Sequence, residues 1–158
     1  MRKLKIYLDT SVISHLFAED TPEKMKETLD FWEDVKSGKY EVITSAVTIR
    51  EISEASMPKR LKMLKALNEV EHTVIALNPS VERLAEEIIE KGILTRKSFD
   101  DCQHIATAIL EGCSIIVSWN FKHIVRKKTI KGVREITISK EYQSVDIYSP
   151  VMMLDEEE

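Results

Sequence analysis

The spacing of apolar residues changes repeatedly along the chain, and each kind of spacing predicts a different element. Short, β-prone apolar runs predict strands, whereas apolar residues three or four positions apart predict helices. The predicted strands occupy residues 3–8, 40–44, 72–77, 114–118 and 133–138. Helical spacing fills the segments between these runs. This alternation predicts an α/β fold with a mainly parallel sheet of about four or five strands and helices on both faces.

Residues that begin and end helices stand at the edges of the helical segments. Ser45 and Asn78 are expected to be N-caps, and Pro79 suits the first position of a helix. Gly92 and Gly112 follow two of the apolar stripes, where glycine commonly ends a helix.

The length of 158 residues fits one domain, expected over 1–148. Residues 149–158 are expected to form a C-terminal segment that ends in an acidic tail. No apolar run is long enough to span a bilayer, and few apolar residues precede Asp9, so we expect a cytoplasmic protein without a membrane segment. Cys102 and Cys113 lack the spacing of a zinc site or a disulfide framework, and we expect reduced thiols.

The formal net charge of -4 does not indicate a nucleic-acid-binding protein, but the charge is unevenly distributed. The segment 122–134 contains six Lys and Arg residues and no acidic residue. Within it, Lys122, Arg126 and Lys127 are candidates for contact with nucleic-acid phosphates. The alternative is an ordinary solvated face, which is the usual fate of a basic run.

Acidic and amide side chains stand at the ends of the predicted elements. Asp9 follows the first strand, Glu51 lies on the helix after the second, Asp101 lies in the first turn of a later helix, and Asn120 follows the fourth strand. In a parallel sheet these positions meet at the rim outside the strands' C-terminal ends. Clustered carboxylates favour a hard divalent cation such as Mg²⁺ or Mn²⁺, and such a site suits phosphodiester hydrolysis.

Each of these side chains also has a structural explanation. Asp9 could cap the following helix, and Asp101 could complete a capping box with Ser98. Glu51 could be a surface residue, and Asn120 could form a turn.

The histidines have similar alternatives. His104 lies one helical turn from Asp100 and Asp101 and could contact phosphate, but a packed or hydrogen-bonded histidine is the commoner case. His15, His72 and His123 are interpreted as structural or surface residues.

Four short segments resemble those of the PIN-domain ribonucleases. They are Ile-Tyr-Leu-Asp-Thr-Ser-Val at 6–12, Thr-Ile-Arg-Glu-Ile at 48–52, Asp-Cys-Gln-His-Ile-Ala-Thr-Ala at 101–108 and Ile-Val-Ser-Trp-Asn-Phe at 116–121. The resemblance implies a PIN-like three-layer α/β/α fold with an acidic pocket for Mg²⁺ or Mn²⁺. Asp9, Glu51 and Asp101 match the family's acidic positions, and Asn120 stands where many members have a fourth Asp. An amide there could weaken a second metal site and leave a one-metal enzyme.

The resemblance therefore implies a metal-dependent endoribonuclease in which Asp9, Glu51 and Asp101 hold the metal and Asn120 orients the attacking water. Thr10, Asp100, His104 and Ser118 are expected to lie beside these residues. Members of this size are often VapC-type toxins that a small antitoxin protein silences. Apolar residues on the early helices, among them Phe17, Phe31 and Trp32, favour a homodimer, although core packing explains them equally well.

Two other functions remain open from the sequence. The amide at Asn120 and the negative net charge are compatible with a PIN-fold module that binds RNA or protein without cutting it. A phosphoacceptor centred on Asp9 is disfavoured, because Asp9-Thr10-Ser11 lacks the second Asp of a DxD motif.

Overall fold

One parallel sheet of five strands organises the computed structural model, which describes residues 2–154. The strands are β1 (Leu4–Leu8), β2 (Tyr40–Ser45), β3 (Thr73–Ile75), β4 (Ile115–Val117) and β5 (Asp146–Tyr148). The helices are α1 (Thr10–His15), α2 (Pro22–Lys36), α3 (Ala46–Ser53), α4 (Lys59–Asn68), α5 (Pro79–Glu90), α6 (Phe99–Leu110), α7 (Lys127–Ser139) and α8 (Pro150–Leu154). A 3-10 turn at Arg96–Ser98 leads into α6.

The strand order is β3-β2-β1-β4-β5, and every neighbouring pair is parallel. Leu8 at the end of β1 is aligned with Val117 at the end of β4. The chain builds the sheet outward in opposite directions from β1 and β4, so the order reverses between these two strands. The crevice outside the C-terminal ends of such a pair is the usual ligand site of an open α/β sheet.

The sheet is covered by helices on both faces, because successive side chains of β1 alternate between two cores. Tyr7 packs with Ile105 of α6 in one core. Ile6 and Leu8 pack with Phe31 of α2 in the other. This arrangement confirms the predicted three-layer α/β/α fold.

The apolar residues that favoured a dimer pack mainly in the core of the chain itself. Phe31 is 0% exposed and Trp32 is 4% exposed, and Phe17 packs partly buried against the same core. Core packing therefore explains these three residues, and the homodimer stays a prediction.

The predicted strand at 133–138 is wrong, because these residues belong to α7. The buried positions of α7 are Thr129, Gly132, Val133, Ile136 and Thr137, which recur at helical spacing. Ile138, the last residue of the predicted strand, is 70% exposed. The fifth strand is instead β5, in the segment just after α7.

The helix boundaries agree well with the sequence. Ser45 caps α3 by accepting a hydrogen bond from the backbone N–H of Val47, and Asn78 caps α5 in the same way through Val81. Pro79 occupies the first position of α5. Gly92 follows α5 with φ +74°, a backbone conformation that glycine adopts without steric cost.

The C-terminal segment of the described chain packs against the rest of it. Helix α8 contacts α2, and Met153 of α8 is 1% exposed. The division of the chain at residue 148 stays a prediction, and the acidic tail at 155–158 lies outside the described residues.

Two further expectations concern the cysteines and the membrane. Cys102 and Cys113 are both buried and free of disulfide bonds, as expected. No helix within residues 2–154 is long and apolar enough to cross a membrane.

Candidate active site

Asp9 lies at the junction of β1 and α1 and is only 3% exposed. Its backbone begins α1, but its side chain makes no capping hydrogen bond. The carboxylate instead accepts hydrogen bonds from Ser11 Oγ at 2.5 Å and from Ser118 Oγ at 2.6 Å. Because Ser118 follows β4, the Asp9 side chain connects the two strands between which the sheet order reverses. The helix-cap alternative therefore does not account for this carboxylate.

The surroundings of Asp9 disfavour its negative charge. Burial raises the pKa of the Asp9 carboxyl, and the charge of Glu51 acts in the same direction. The charge of His104 and the hydroxyls of Ser11 and Ser118 act in the opposite direction but do not cancel the effect of burial.

Glu51 of α3 lies beside Asp9 rather than on the open surface. Its Oε1 accepts a hydrogen bond from Thr10 Oγ1 at 2.5 Å and another from His104 Nε2 at 2.8 Å. Burial alone would raise the pKa of Glu51, but the hydrogen bond and charge of His104, the hydrogen bond from Thr10 and the charge of Arg50 together outweigh it and lower the pKa. The surface-residue alternative is therefore wrong for Glu51, whose side chain is 26% exposed.

His104 of α6 is 1% exposed and joins Glu51 to the buried Tyr7. Its Nδ1 lies 2.6 Å from Tyr7 Oη, which in turn lies 2.8 Å from Ser45 Oγ. Burial disfavours the imidazolium, yet the hydrogen bond to Glu51 and the nearby carboxylates raise the pKa of His104. The histidine is thus a packed, hydrogen-bonded residue that fixes Glu51.

Asp101 lies in the first turn of α6, and its Oδ2 is the centre of a second set of hydrogen bonds. Asn120 Nδ2 donates to it at 3.3 Å, and His123 Nδ1 lies 3.0 Å from it. The Asn120 amide is oriented by its own oxygen, which accepts the backbone N–H of His123 at 2.9 Å. Ser98 makes no side-chain capping bond at the start of α6, so no capping box accounts for Asp101.

The pKa of Asp101 is raised chiefly by burial, with the charge of Asp9 adding to the effect. The charges of His104 and His123 and the hydrogen bond to His123 act the other way. Asp9, Glu51 and Asp101 are therefore close enough for their charges to interact, as the sequence predicts for one rim of a parallel sheet.

The remaining predicted site residues have different surroundings. Thr10 and Ser118 support Glu51 and Asp9 as described above. The Asp100 side chain is 50% exposed, forms an ion pair with Arg50 Nη2 at 2.6 Å, and makes none of the hydrogen bonds described above. Arg126 donates to the carbonyl oxygen of Ile93 at 2.8 Å and to Thr129 Oγ1 at 2.9 Å, so its guanidinium holds α7 in place. Lys122 and Lys127 are exposed.

Sequence reasoning missed two residues of the site, Ser11 and His123. Ser11 follows Asp9 by two positions, a spacing that allows a local side-chain hydrogen bond. His123 follows Asn120 by three positions and reaches Asp101 because the chain turns after β4. His15 and His72 are structural, as expected, since each hydrogen-bonds a backbone carbonyl of its own segment.

The donor set fits a hard divalent cation. Asp9 is a buried carboxylate and Asp101 is a partly buried one whose side chain is 17% exposed, and neither forms an ion pair with Lys or Arg anywhere in residues 2–154. Carboxylate oxygens are the ligands that Mg²⁺ and Mn²⁺ prefer, and a cation would offset both the burial of these charges and their mutual repulsion. The same residues are not, however, already arranged as a group of three ligands around one point in the described chain.

Comparison with known proteins identifies the family. A model of the PIN domain matches residues 6–123, from β1 to the turn that holds His123. The chain belongs to the PIN-domain family. The matched span contains Asp9, Glu51, Asp101 and Asn120, the residues on which the resemblance was based.

The same PIN fold occurs in solved structures of bacterial proteins. VapBC2 from Rickettsia felis, bound to a DNA fragment from their promoter, superposes with a TM-score of 0.58 at 14% identity, over 92% of this chain and 98% of that chain. VapC20 from Mycobacterium tuberculosis, a toxin that cleaves the sarcin-ricin loop, superposes with a TM-score of 0.57 at 18% identity, over 75% of this chain and 92% of that chain. Both likenesses are in fold. No curated protein sequence matches the chain significantly.

Proposed function

We propose that this PIN-domain protein is a metal-dependent endoribonuclease that hydrolyses phosphodiester bonds in RNA. The observation that supports the proposal most strongly is the convergence of Asp9, Glu51 and Asp101 where the sheet order reverses. The first is buried and the last is partly buried, and both have raised pKa values and no Lys or Arg ion-pair partner in residues 2–154. A structural role would not require this costly arrangement.

In this proposal Asp9, Glu51 and Asp101 hold Mg²⁺ or Mn²⁺, directly or through water. When bound, the metal would polarise the scissile phosphate and make water a stronger nucleophile near neutral pH. The chain's own contribution is to fix the three carboxylates. Ser11 and Ser118 orient Asp9, and His104 with Thr10 orients Glu51.

The contacts of Asn120 favour a role other than the orientation of a water molecule. Its amide donates to Asp101, and its oxygen is used by the backbone of His123. We therefore assign Asn120 and His123 to the positioning of Asp101, while direct orientation of a water by Asn120 stays a prediction. Among the basic residues, the exposed Lys122 and Lys127 are better placed than Arg126 to contact the RNA backbone, because Arg126 is engaged with Ile93.

A toxin–antitoxin role, with a small antitoxin protein as partner, belongs to the same proposal. It is supported by the likeness in fold to VapBC2 and VapC20. A small open reading frame directly upstream of the gene, whose product co-purifies with this chain, is the expected observation.

A non-catalytic module that binds RNA or protein is the second candidate. Two observations favour it: the neutral amide of Asn120 and the lack of a ready three-ligand group within residues 2–154. The two candidates differ in whether RNA is cut.

The test is cleavage of single-stranded RNA with Mn²⁺ or Mg²⁺, with EDTA as the metal-free control. Asp9→Asn and Asp101→Asn are each expected to lower the rate by roughly 100-fold or more, the usual cost of removing one charge-stabilising group from an active site. Asp100→Asn is the matched control, since the neighbouring Asp100 pairs with Arg50 and should leave the rate nearly unchanged. Equal rates in the wild type and in both site variants would contradict the proposal, and no cleavage by the wild type would favour the binding module.

A further inference from the structure

Phe121 is an exposed aromatic side chain immediately beside the acidic site. It follows Asn120, whose amide contacts Asp101, and 48% of its surface is exposed. Other exposed apolar side chains, such as Leu61 and Ile138, are aliphatic and lie on helices α4 and α7. Phe121 thus presents a half-exposed aromatic surface next to the residue that contacts Asp101.

The ring is supported by a side chain that cannot easily move. Trp119 lies edge-to-face with Phe121, with 5.9 Å between centroids and 85° between planes, and is itself 6% exposed. The Trp119 indole N–H donates to Thr28 Oγ1 at 2.8 Å, and its backbone N–H donates to Ser11 Oγ at 2.8 Å. Ser11 is also the residue that donates to Asp9. The aromatic pair and the acidic pocket are therefore held by one shared set of hydrogen bonds.

A cation completes this surface. Lys24 Nζ lies 5.2 Å from the centroid of Phe121 and 5.4 Å from that of Trp119. It forms no ion pair with any carboxylate of residues 2–154. A lysine held over aromatic rings and not neutralised by a carboxylate keeps its charge for an anionic ligand.

We propose that Phe121 and Lys24 form a nucleotide subsite that stacks one base of a single-stranded RNA next to the cleavage site. The inference rests on the proposed ribonuclease function. The base stacks on Phe121 while the Lys24 ammonium contacts a neighbouring phosphate. Stacking on an aromatic side chain together with a backbone cation is how proteins bind unpaired nucleotides. Since every base has an aromatic face, the subsite positions the strand with little dependence on base identity.

Binding of a fluorescein-labelled single-stranded RNA, measured by fluorescence anisotropy in EDTA, tests the subsite without cleavage. Phe121→Ala is expected to raise Kd by roughly 5- to 150-fold, the usual effect of removing one stacked base contact. Phe121→Tyr keeps the aromatic face and should bind within about twofold of the wild type. Leu61→Ala removes a comparably exposed apolar side chain on α4 and should leave Kd unchanged.

The dependence of Kd on salt separates the roles of the two residues. Lys24→Gln removes one phosphate contact, so the slope of log Kd against log salt should become shallower by about 0.7. Phe121→Ala removes no charge and should change Kd without changing this slope. A variant that fails to fold would change both Kd and its dependence on salt. The melting temperature of each variant identifies such a loss of structure.

The outcomes separate the subsite from the proposed function. If the wild type binds RNA but does not cleave it, and Phe121→Ala weakens binding while Phe121→Tyr does not, the subsite stands and the ribonuclease proposal fails. If the wild type cleaves RNA but Phe121→Ala binds as tightly as the wild type, the subsite is overturned and the ribonuclease proposal stands. Absence of RNA binding by the wild type would also overturn the subsite, and a protein contact would then explain the exposed ring.

Discussion

Asp9 is buried at the centre of the acidic site without a Lys or Arg to pair with among residues 2–154, and this has a consequence for stability. Its folded-state pKa is raised above the ordinary value of 3.8, chiefly by burial. The folded state therefore retains the proton at pH values where the unfolded chain has released it. Stability of the metal-free protein consequently falls as pH rises above the ordinary value and through the folded-state pKa.

Asp9→Asn removes this charge while keeping the shape of the side chain. In EDTA at neutral pH we expect the variant to melt a few degrees above the wild type, because the variant no longer buries a carboxylate that lacks a Lys or Arg partner. The difference should shrink as pH falls towards the ordinary carboxyl pKa, because Asp9 becomes increasingly protonated in the unfolded state as well as in the folded state. Thermal melts followed by circular dichroism between pH 4 and 8 measure it.

Asp100→Asn is the control, since Asp100 is half-exposed and paired with Arg50. Its melting temperature should not rise above that of the wild type at any pH. A lower melting temperature for Asp9→Asn at neutral pH would contradict the prediction. It would mean that the hydrogen bonds from Ser11 and Ser118 to the carboxylate outweigh the cost of its burial.

At this scale the sequence predicted the acidic residues and their neighbours Thr10, His104 and Ser118, but not the partners Ser11 and His123. Asp9, Glu51 and Asp101 stand at the ends of elements, and the topology of a parallel sheet is enough to bring them together. The contacts of His123 with Asp101 and of Ser11 with Asp9 depend on the turn after β4 and on side-chain rotamers, which leave no periodic signal in the sequence.

At the scale of elements, α7 is the helix that was predicted in part as a strand. The β-branched residues Val133, Ile136, Thr137 and Ile138 resemble a short strand, whereas the full set of buried positions recurs at helical spacing. The end caps of α3 and α5 were predictable because Ser45 and Asn78 act through local hydrogen bonds. Helix α7 has no such cap, since Arg126 makes no side-chain capping bond.

Gly132 of α7 tests how closely this helix packs. A Cβ at this position would lie 2.5 Å from Cγ1 of Ile93, a residue that is 6% exposed. Alanine would gain about 1 kcal/mol of helix propensity over glycine, but overpacking a core costs about 1–3 kcal/mol. We expect Gly132→Ala to lower the free energy of unfolding by about 1 kcal/mol, measured by urea denaturation.

Lys131→Ala is the matched control, because Lys131 is the exposed neighbour on the same helix and its replacement should be nearly neutral. A Gly132→Ala protein as stable as the wild type, or more stable, would show that Ile93 moves aside without cost.

At the scale of the whole molecule, the order of the strands in the sheet determines where the acidic site lies. Because β1 and β4 are neighbours and the order reverses between them, Asp9 and the Ser118–Asn120 turn meet, and α3 and α6 add Glu51 and Asp101 from the helical layers. Alternation of strands and helices predicted this class of fold. The strand order depends on pairing between distant segments, so local sequence patterns leave it open, and it is known only from the structure.

Whether these three carboxylates form one metal site is measured most directly by isothermal titration of the purified, EDTA-treated protein with Mn²⁺. The wild type and the Asp100→Asn control are expected to bind Mn²⁺ with similar affinity. Asp9→Asn and Asp101→Asn should each weaken binding by roughly 10-fold or more, since a neutral amide replaces a charged ligand. No Mn²⁺ binding by the wild type at millimolar concentration, or equal binding by all four proteins, would contradict the assignment of this pocket as a metal site.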